Sequence, residues 1–421
     1  MQQPLPTTGV PPTPALPLPS ATPWFGVGMV VLAGVVASLQ VGKVAIAVPQ
    51  LREEFGLGLS MVGWLMAMFS LLGVMGAIPV GAWVARAGDR RLVLVGLAAI
   101  AAGSSVGALA QGIAVLLLGR AIEGLGFVLI TIAGPAVLQR IAAPAGKDLA
   151  FALWSCFMPA GMAIALFIGA MLDGWRGFWF GNAALAVVVL ALVLLAVARE
   201  DRSGSALPAP SLRDIGRDAA ATARAGAPSL IAVSFVVYSL QFFALFSFLP
   251  VLLIERMGVS VGTAGMLSAL ACAANIVGNL AAGMLLTRGV SRWLLVAVAS
   301  AAMGLAAPGI FLHVLGGTST FVLCLVFSAV GGLLPATLIG TSAVVAPAPR
   351  LVPIAVGLLM LGSNFGQMIG PVTVGAAVDA LGWNAAAAIV AGAGGVGVLI
   401  ALGLRRAMRR NEAARAVRAG H

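Results

Sequence analysis

Gly63-Trp64-Leu65-Met66 opens an apolar segment that runs without a charged residue to Arg86-Ala87-Gly88-Asp89-Arg90-Arg91. The segment is long enough to cross a bilayer, which takes about 20 apolar residues. A similar segment occurs 202 residues later. The glycines and arginines that match are Gly63/Gly265, Gly76/Gly278, Gly81/Gly283, Arg86/Arg288 and Arg90/Arg292. A long apolar segment that repeats in the same sense half a chain later indicates a duplicated membrane protein. An even number of spans must separate the two copies, because both copies have the same orientation.

The composition excludes an ordinary soluble domain. Of the 421 residues, 61% are hydrophobic and 9% are charged, and the mean hydropathy is +1.09. Only helices and closed barrels can expose their backbone to lipid, and the apolar runs here far exceed the roughly 10-residue alternating segments of a membrane barrel. The sequence therefore predicts an all-α membrane protein with 12 transmembrane helices in two pseudo-symmetric six-helix halves.

The arginines indicate topology rather than nucleic-acid binding. With the N-terminus inside, the predicted inner loops and tail hold 19 Lys and Arg residues and the outer loops hold 3. Positive charge on the cytoplasmic side is the expected bias. We therefore predict a multi-pass protein of the cytoplasmic (inner) membrane with both termini cytoplasmic. With three cysteines in apolar runs and two histidines, no metal, disulfide or cofactor is expected.

The predicted domain organisation has five parts. A proline-rich tail without Lys or Arg is expected to be disordered, and the one long polar connection, which includes Ser211 and Asp214 as a helix-start signal, joins the two halves. This connection is read equally well as a plain linker or as a regulatory segment. The parts are the tail 1–23, the N-terminal half 24–198, the linker 199–227, the C-terminal half 228–404 and the basic cytoplasmic tail 405–421.

A second repeat marks the fifth and eleventh spans. Gly161, Gly169 and Asp173-Gly174-Trp175 match Gly366, Gly375 and Asp379 to Trp383 at offsets of 205 to 208. Each aspartate marks the predicted outer end of a span, and each tryptophan lies where an interfacial aromatic belongs. The glycines favour close helix packing.

With these features the chain resembles the major facilitator superfamily over residues 25–404. The loop after the second span resembles that family's G-x-x-x-D-R-x-G-R-R signature, although Ala85 replaces the acidic residue and Asp89 is a partial substitute. The fourth span reads Arg120-Ala121-Ile122-Glu123-Gly124-Leu125-Gly126, similar to the family's R-x-x-x-G-x-G. The resemblance implies a gating loop formed by Gly81, Arg86, Gly88, Asp89, Arg90 and Arg91.

Two further patterns bear on the branch of the family. The stretch Gly42-Lys43-Val44-Ala45-Ile46-Ala47-Val48-Pro49 is similar to the end of the first span in cyanate- and nitroimidazole-permease-like members. The Gly-Pro-x-x-Gly-Gly pattern of drug antiporters is absent from the fifth span, where only Pro159 and Gly161 remain. Together they favour a solute permease over drug–proton antiport.

Charged residues inside spans are the candidate functional residues, because a charge at mid-bilayer costs about 2.5–3.5 kcal/mol on insertion scales. Lys43 has Gln40 on the same helix face and either faces the cavity or snorkels to the outer headgroups. Arg120 and Glu123 are one turn apart, so they either form a structural pair or act in function. The resemblance implies that Arg120 lines the proton-coupling region and that the first, fourth, seventh and tenth spans line the cavity.

We therefore predict a secondary active transporter that moves a small organic or inorganic anion by alternating access, coupled to protons through Glu123 and Arg120. The alternative is a multidrug/proton antiporter. The predicted substrate-binding residues are Lys43, Gln40, Arg120, Tyr238, Gln241 and Asn364. An enzyme is disfavoured, because no nucleotide, zinc-protease or serine-hydrolase motif occurs. The expected partners are the solute, the proton and the lipid bilayer, with no nucleic acid, and the chain is expected to act as a monomer.

Overall fold

The computed structural model describes residues 21–87, 89–198, 212–348 and 351–419. Over these residues the chain forms sixteen α-helices. They are α1 (Trp24–Phe55), α2 (Leu59–Ala87), α3 (Asp89–Ala108), α4 (Ile113–Ile141), α5 (Lys147–Ser155), α6 (Phe157–Gly169), α7 (Trp175–Ala196), α8 (Leu212–Arg224), α9 (Ala227–Phe246), α10 (Leu249–Met257), α11 (Val261–Thr287), α12 (Arg292–Phe311), α13 (Gly317–Gly331), α14 (Leu333–Val345), α15 (Val352–Leu381) and α16 (Trp383–Ala419).

These helices make twelve transmembrane segments in two six-helix halves, so the predicted fold is confirmed. In the described part of the chain, eleven segments are long and apolar enough to cross a membrane, and α2 contributes the shorter apolar stretch Leu59–Met75. Helix α8 lies in the predicted linker between the halves. Helix α16 continues to Ala419, so the predicted basic tail from residue 405 is helical up to that point.

Three spans that the sequence analysis treats as continuous are interrupted. The fifth, seventh and tenth spans break into α5 and α6, α9 and α10, and α13 and α14. A proline follows each break by two or three residues, at Pro159, Pro250 and Pro335. Proline lacks the N–H that would continue the helical ladder and its ring clashes with the carbonyl four residues earlier. Proline alone does not determine where a span breaks, because unbroken helices also contain prolines, at Pro49, Pro135, Pro308 and Pro371.

The two halves repeat a contact at the end of the bundle that the arginine distribution assigns to the outside, here called the outer end. In the N-terminal half, Trp175 at the start of α7 donates its indole N–H to Glu54 Oε2 at the end of α1, over 2.8 Å. In the C-terminal half, Trp383 at the start of α16 donates to Glu255 Oε2 in α10, also over 2.8 Å. Each contact fastens the sixth span of its half to the first.

Glycines bring α2 of one half close to α15 of the other. A Cβ atom placed on Gly63 would lie 2.5 Å from the Pro371 carbonyl oxygen, and one on Gly73 would lie 2.7 Å from Asn364 Cγ. Absence of a side chain is what allows this approach, as in other small-residue helix contacts in membranes. At the outer end of the same interface, Asp379 accepts hydrogen bonds from two backbone N–H groups of α2.

Candidate functional site

Three charged side chains meet inside the N-terminal half. Lys43 from α1 and Arg120 and Glu123 from α4 are each at most 1% exposed. Charged side chains are almost never fully buried unless they are paired. We call these three residues, with Gln40 and Ser104, the charge cluster.

Glu123 is the centre of the charge cluster. Its Oε1 atom accepts hydrogen bonds from Lys43 Nζ and from Ser104 Oγ over 2.8 Å. Its Oε2 atom accepts from Arg120 Nη1 over 2.5 Å. The carboxylate is shared by a lysine and an arginine, and hydrogen bonds of this kind between ionised groups are charge-assisted.

Neutral polar groups complete the cluster. Lys43 Nζ also donates to Ser104 Oγ over 2.9 Å. The single Ser104 hydroxyl proton can point to Glu123 Oε1 or to Gln40 Oε1, which is 3.2 Å away. Gln40 Nε2 donates to the Val36 carbonyl and lies 3.4 Å from Asn182 Oδ1 on α7. The cluster thus ties α1 to α3, α4 and α7.

Glycines on α3 and α4 place Ser104 beside Glu123. A Cβ atom on Gly103 would lie 2.7 Å from both the Glu123 backbone nitrogen and the Gly119 oxygen. A Cβ atom on Gly119 would lie 2.8 Å from the Gly103 oxygen. The two backbones therefore touch where the cluster forms, and any larger residue at either glycine would push the serine away from the carboxylate.

Arg120 makes most of its remaining contacts with backbone oxygens. Its Nη1 atom donates to the Gln40 carbonyl over 2.8 Å, and Nε donates to the Leu65 carbonyl of α2 over 3.2 Å. The guanidinium carbon is 5.8 Å from the centre of the Phe69 ring. Among the described residues, the buried Nη2 atom has no hydrogen-bond partner. The two N–H groups of Nη2 are therefore available for a further acceptor.

The charge cluster carries a net charge of +1 when all three groups are ionised, since two cations share one carboxylate. Protonation of Glu123 would raise the net charge to +2. Lys43 Nζ gains some further compensation from the Trp179 ring, whose centre is 4.5 Å away, because aromatic faces attract cations. The cluster therefore favours a nearby anion.

The structure distinguishes between a Lys43 side chain that faces the interior of the bundle and one that snorkels to the headgroups. Its side chain is fully buried and paired with Glu123, so it faces the interior of the bundle and does not snorkel to the headgroups. The structural pair between Arg120 and Glu123 is also present. Both interpretations of that pair stay open, because an ion pair of this kind suits a structural role and a functional one.

The predicted residues of the C-terminal half form hydrogen bonds within that half, and Asn364 also lies against Gly73 of α2. The Tyr238 hydroxyl accepts from Asn275 Nδ2 over 3.3 Å, Gln241 Nε2 donates to the Val390 carbonyl over 3.0 Å, and Asn364 Nδ2 donates to the Met360 carbonyl over 3.1 Å. Within the described part of the chain, no hydrogen bond joins these three residues to Lys43 or Arg120. A joint substrate site from both halves stays a prediction.

The structure describes side chains of the predicted gating loop only from Asp89 onward. Gly88 lies outside the described residues, and Gly81 and Arg86 lie in α2 where side chains are not described. Asp89 accepts from Arg140 Nε and Nη2 at the end of α4, over 2.9 and 3.0 Å. Arg90 Nη2 donates to the Leu194 carbonyl over 2.7 Å, and Arg91 is exposed. Asp89 and Arg90 therefore bind other helices of their own half.

Three residues of the site were missed by the sequence analysis. Ser104, Trp179 and Asn182 all contact Lys43 or Gln40, yet each is an uncharged residue in an apolar span. Such residues most often make ordinary helix–helix contacts. The one signal for Ser104 was its position between Gly103 and Gly107, glycines at which α3 closely approaches α4 and α7.

The sequence profile of the Major Facilitator Superfamily matches residues 30–351 and 231–420, which is nearly the whole bundle. The chain belongs to this superfamily. This superfamily consists of membrane transporters, and its membrane-spanning helices agree with the twelve-span fold. The resemblance drawn from the loop after the second span and from the fourth span is thereby confirmed at the level of the superfamily.

Several relatives of this chain have named functions. It is 31% identical over 47% of its length to the tetracenomycin C resistance and export protein of Streptomyces glaucescens, and 32% identical over 40% to the multidrug resistance protein B homolog of Mycobacterium tuberculosis. The chain covers 37% and 32% of those proteins. It is 27% identical over 88% of its length to the 3-(3-hydroxy-phenyl)propionate transporter of Escherichia coli, of which it covers 90%.

Solved structures of the same fold include a bacterial homolog of the human lysosomal transporter Spinster in inward-facing conformations. The unoccupied form has a TM-score of 0.69 at 17% identity and covers 92% of this chain and 95% of that one. The occupied form has a TM-score of 0.67 at 17% identity, with 91% and 94% covered. At this level of identity the similarity concerns the fold.

Proposed function

We propose that this protein is a secondary active transporter that moves a small organic or inorganic anion by alternating access, coupled to protons. The observation that carries the proposal is the buried charge cluster, in which two cations share one carboxylate. We also propose that the protein is not an enzyme. It would act as a monomer in the cytoplasmic membrane, with both termini on the cytoplasmic side.

The physical argument concerns the uncompensated positive charge. A buried cation is unfavourable unless water, a counter-charge or a hydrogen-bond acceptor meets it. Lys43 and Arg120 compete for Glu123, and the Nη2 donor of Arg120 has no partner among the described residues. An anion that approaches α1 and α4 when the halves rock apart would supply the missing acceptor. Arginine suits the planar fork of a carboxylate.

The proposed binding site combines both halves. Lys43, Gln40 and Arg120 supply the cationic side, and Tyr238, Gln241 and Asn364 supply polar groups from the seventh and eleventh spans. Tyr238 and Asn364 would have to exchange their present partners for the solute, as a transporter requires when it changes conformation. The 3-(3-hydroxy-phenyl)propionate transporter aligns with most of this chain's length. This similarity supports an aromatic or other small carboxylate as the solute.

Proton coupling is proposed to act through Glu123 and Arg120. Protonation of Glu123 would release both cations and raise the local charge, which strengthens the attraction for an anion. Loss of that proton restores the ion pairs seen here. This linkage favours binding of the proton and the anion together. The narrower assignment to the cyanate- and nitroimidazole-permease-like branch rests on residues 42–49 and belongs to the same proposal.

The experiment is a thermal-shift titration of the purified protein with 3-(3-hydroxyphenyl)propionate, benzoate and nitrate, because a ligand that binds the folded state raises its unfolding temperature. Binding of any of these anions by the wild type that Arg120→Lys weakens supports the proposal. Stabilisation by lipophilic cations and by none of the anions would contradict it.

Multidrug export is the second candidate, favoured by the resistance and export proteins among the relatives and by the complete burial of Lys43 and Arg120. In that case the cluster is a structural and proton-carrying element, and the central cavity is neutral. Export of tetraphenylphosphonium driven by a pH gradient, with no response to anions, would favour this candidate over the first.

A further inference from the structure

Asp379 joins the two halves at the outer end through the start of a helix. Its Oδ1 atom accepts from Leu59 N over 3.0 Å, and its Oδ2 atom accepts from Ser60 N over 2.7 Å. Both N–H groups belong to the first turn of α2, where a helix has no acceptors of its own. A carboxylate there also interacts favourably with the helix dipole. Asp379 thus acts as the cap of a helix in the opposite half.

Helix α2 has no side-chain cap of its own. The Gly58 carbonyl accepts the first helical hydrogen bond, from Val62 N over 3.2 Å, so Gly58 occupies the cap position. Glycine has no side chain to bond the free N–H groups. A Cβ atom on Gly58 would lie 2.9 Å from Asp379 Oδ2. Because Gly58 has no side chain, the N–H groups of the first turn lack a local acceptor. The same absence leaves room for the carboxylate of the other half.

The repeat in the C-terminal half is built differently. The position equivalent to Gly58 is Ser260, 202 residues later, and its Oγ accepts from Thr263 N over 3.2 Å. Helix α11 is therefore capped by its own preceding residue. The acid equivalent to Asp379 is Asp173, which is exposed. One of two matched helices is capped within its own half and the other across the interface.

We propose that Asp379 is a positioning residue that holds the outer end closed by capping α2 from the opposite half. The inference rests on the proposed alternating access, in which the halves separate at one end in turn. When the outer end opens, α15 moves away from α2 and the cap is lost, so the bonded state is favoured over the open one. A cap and a charge–dipole contact of this kind shift the ratio of closed to open molecules by about 2- to 10-fold.

The test measures the distance between the halves at the outer end, which needs no substrate. Spin labels are placed at Gln111 and Gly316, exposed residues in outer loops of the two halves, in a chain whose three cysteines are replaced by alanine. Double electron–electron resonance in lipid nanodiscs then measures the distance between the two labels, and the distance distribution gives the closed and open populations. We compare Asp379→Ala and Asp379→Asn with Asp173→Ala, the matched acid, which should leave the distances unchanged.

A variant in which α2 has its own cap distinguishes a role of Asp379 in holding the halves together from a role in stabilising α2 alone. Gly58→Ser in the Asp379→Ala background gives α2 its own cap, in space that the removed carboxylate leaves open. The expected result is that the double variant regains the thermal stability lost in Asp379→Ala but keeps the raised open population. Return of the closed population in the double variant would overturn the proposal, because capping alone would then explain the residue.

Transport gives an independent readout. Uptake of 3-(3-hydroxyphenyl)propionate by proteoliposomes is measured for the same variants. Unchanged distances in Asp379→Ala and Asp379→Asn would overturn the proposed latch even if the wild type transports the anion normally. A raised open population in both variants would support the latch even if that anion is not transported, and the failure would then concern the proposed function alone. Should Asp379→Ala not fold, Asp379→Asn decides.

Discussion

Glu123 is the residue on which the charge cluster depends, because within the described part of the chain it is the one carboxylate that pairs with both Lys43 and Arg120. Glu123→Gln should leave two buried cations without a counter-charge and destabilise the protein by about 3–5 kcal/mol. Chemical denaturation of the purified protein checks the value. The control is Glu54→Gln, which breaks a half-exposed pair with Arg176 and should cost about 0–1 kcal/mol. Equal losses in the two variants would contradict the buried pairing.

The two cations of the cluster should differ in their effect on anion binding. Arg120→Lys keeps the charge but loses the fork and the Nη2 donor, so it should weaken binding of 3-(3-hydroxyphenyl)propionate by about 10-fold. Lys43→Arg keeps a cation and should weaken binding less. Isothermal titration calorimetry compares the two. A larger loss in Lys43→Arg, or anion binding unchanged by Lys43→Gln, would contradict the proposed roles.

The residues of the cluster could be predicted from the sequence only where charge made them conspicuous. Lys43, Arg120 and Glu123 stand out because a charge in an apolar span needs a reason. The direction of Lys43 could not be predicted, since its flexible chain can reach headgroups or interior alike. Ser104 and Asn182 carry no such signal, and only the packing of α3 and α7 against α1 and α4 shows their role.

At the scale of elements, the packing of α3 on α4 positions the cluster. Gly103→Ala should place a methyl group 2.7 Å from backbone atoms of α4, separate the helices and cost about 1–3 kcal/mol. The matched control is Gly181→Ala in α7, where a Cβ atom meets nothing within 4 Å. That variant should be neutral or stabilising by about 0.5–1 kcal/mol. Thermal unfolding of both variants decides, and a stable Gly103→Ala protein would refute the close contact.

The helices themselves were largely predictable, and their internal repeats only in part. Apolar length gave the twelve spans, but proline did not predict which three of them break, since α1, α4, α12 and α15 each continue through a proline. The paired contacts Glu54–Trp175 and Glu255–Trp383 were missed. Their glutamates are 201 residues apart and their tryptophans 208, because the loops of the two halves differ in length. No single shift of the sequence aligns both, so only the three-dimensional contact shows the correspondence.

For the whole molecule, the arginine distribution predicts which end faces the cytoplasm. Single cysteines at Gln111, which is exposed, and at Gly204 in the predicted linker, in a cysteine-free chain, should react differently with a membrane-impermeant maleimide in intact cells. Gln111→Cys should be labelled from outside, and Gly204→Cys only after the membrane is permeabilised. Labelling of Gly204→Cys in intact cells would reverse the topology, and with it the assignment of the outer end.

The linkage between proton and anion should also appear in the energetics of transport. If one proton accompanies one monovalent anion, the cycle moves no net charge. Uptake into proteoliposomes should then follow the pH gradient and respond weakly to a membrane potential imposed at equal pH, where about 2.3 kcal/mol per charge per 100 mV would otherwise act. A strong response to the potential alone would indicate a different stoichiometry.

The most direct test of a proton-coupled anion transporter is accumulation of radiolabelled 3-(3-hydroxyphenyl)propionate in proteoliposomes with an imposed inward proton gradient, wild type beside Glu123→Gln. We predict that the wild type concentrates the anion above its external level and loses that accumulation when the gradient is collapsed. Glu123→Gln should exchange the anion across the membrane without concentrating it. Accumulation by Glu123→Gln equal to the wild type, or no movement of any small anion by the wild type, would contradict the account.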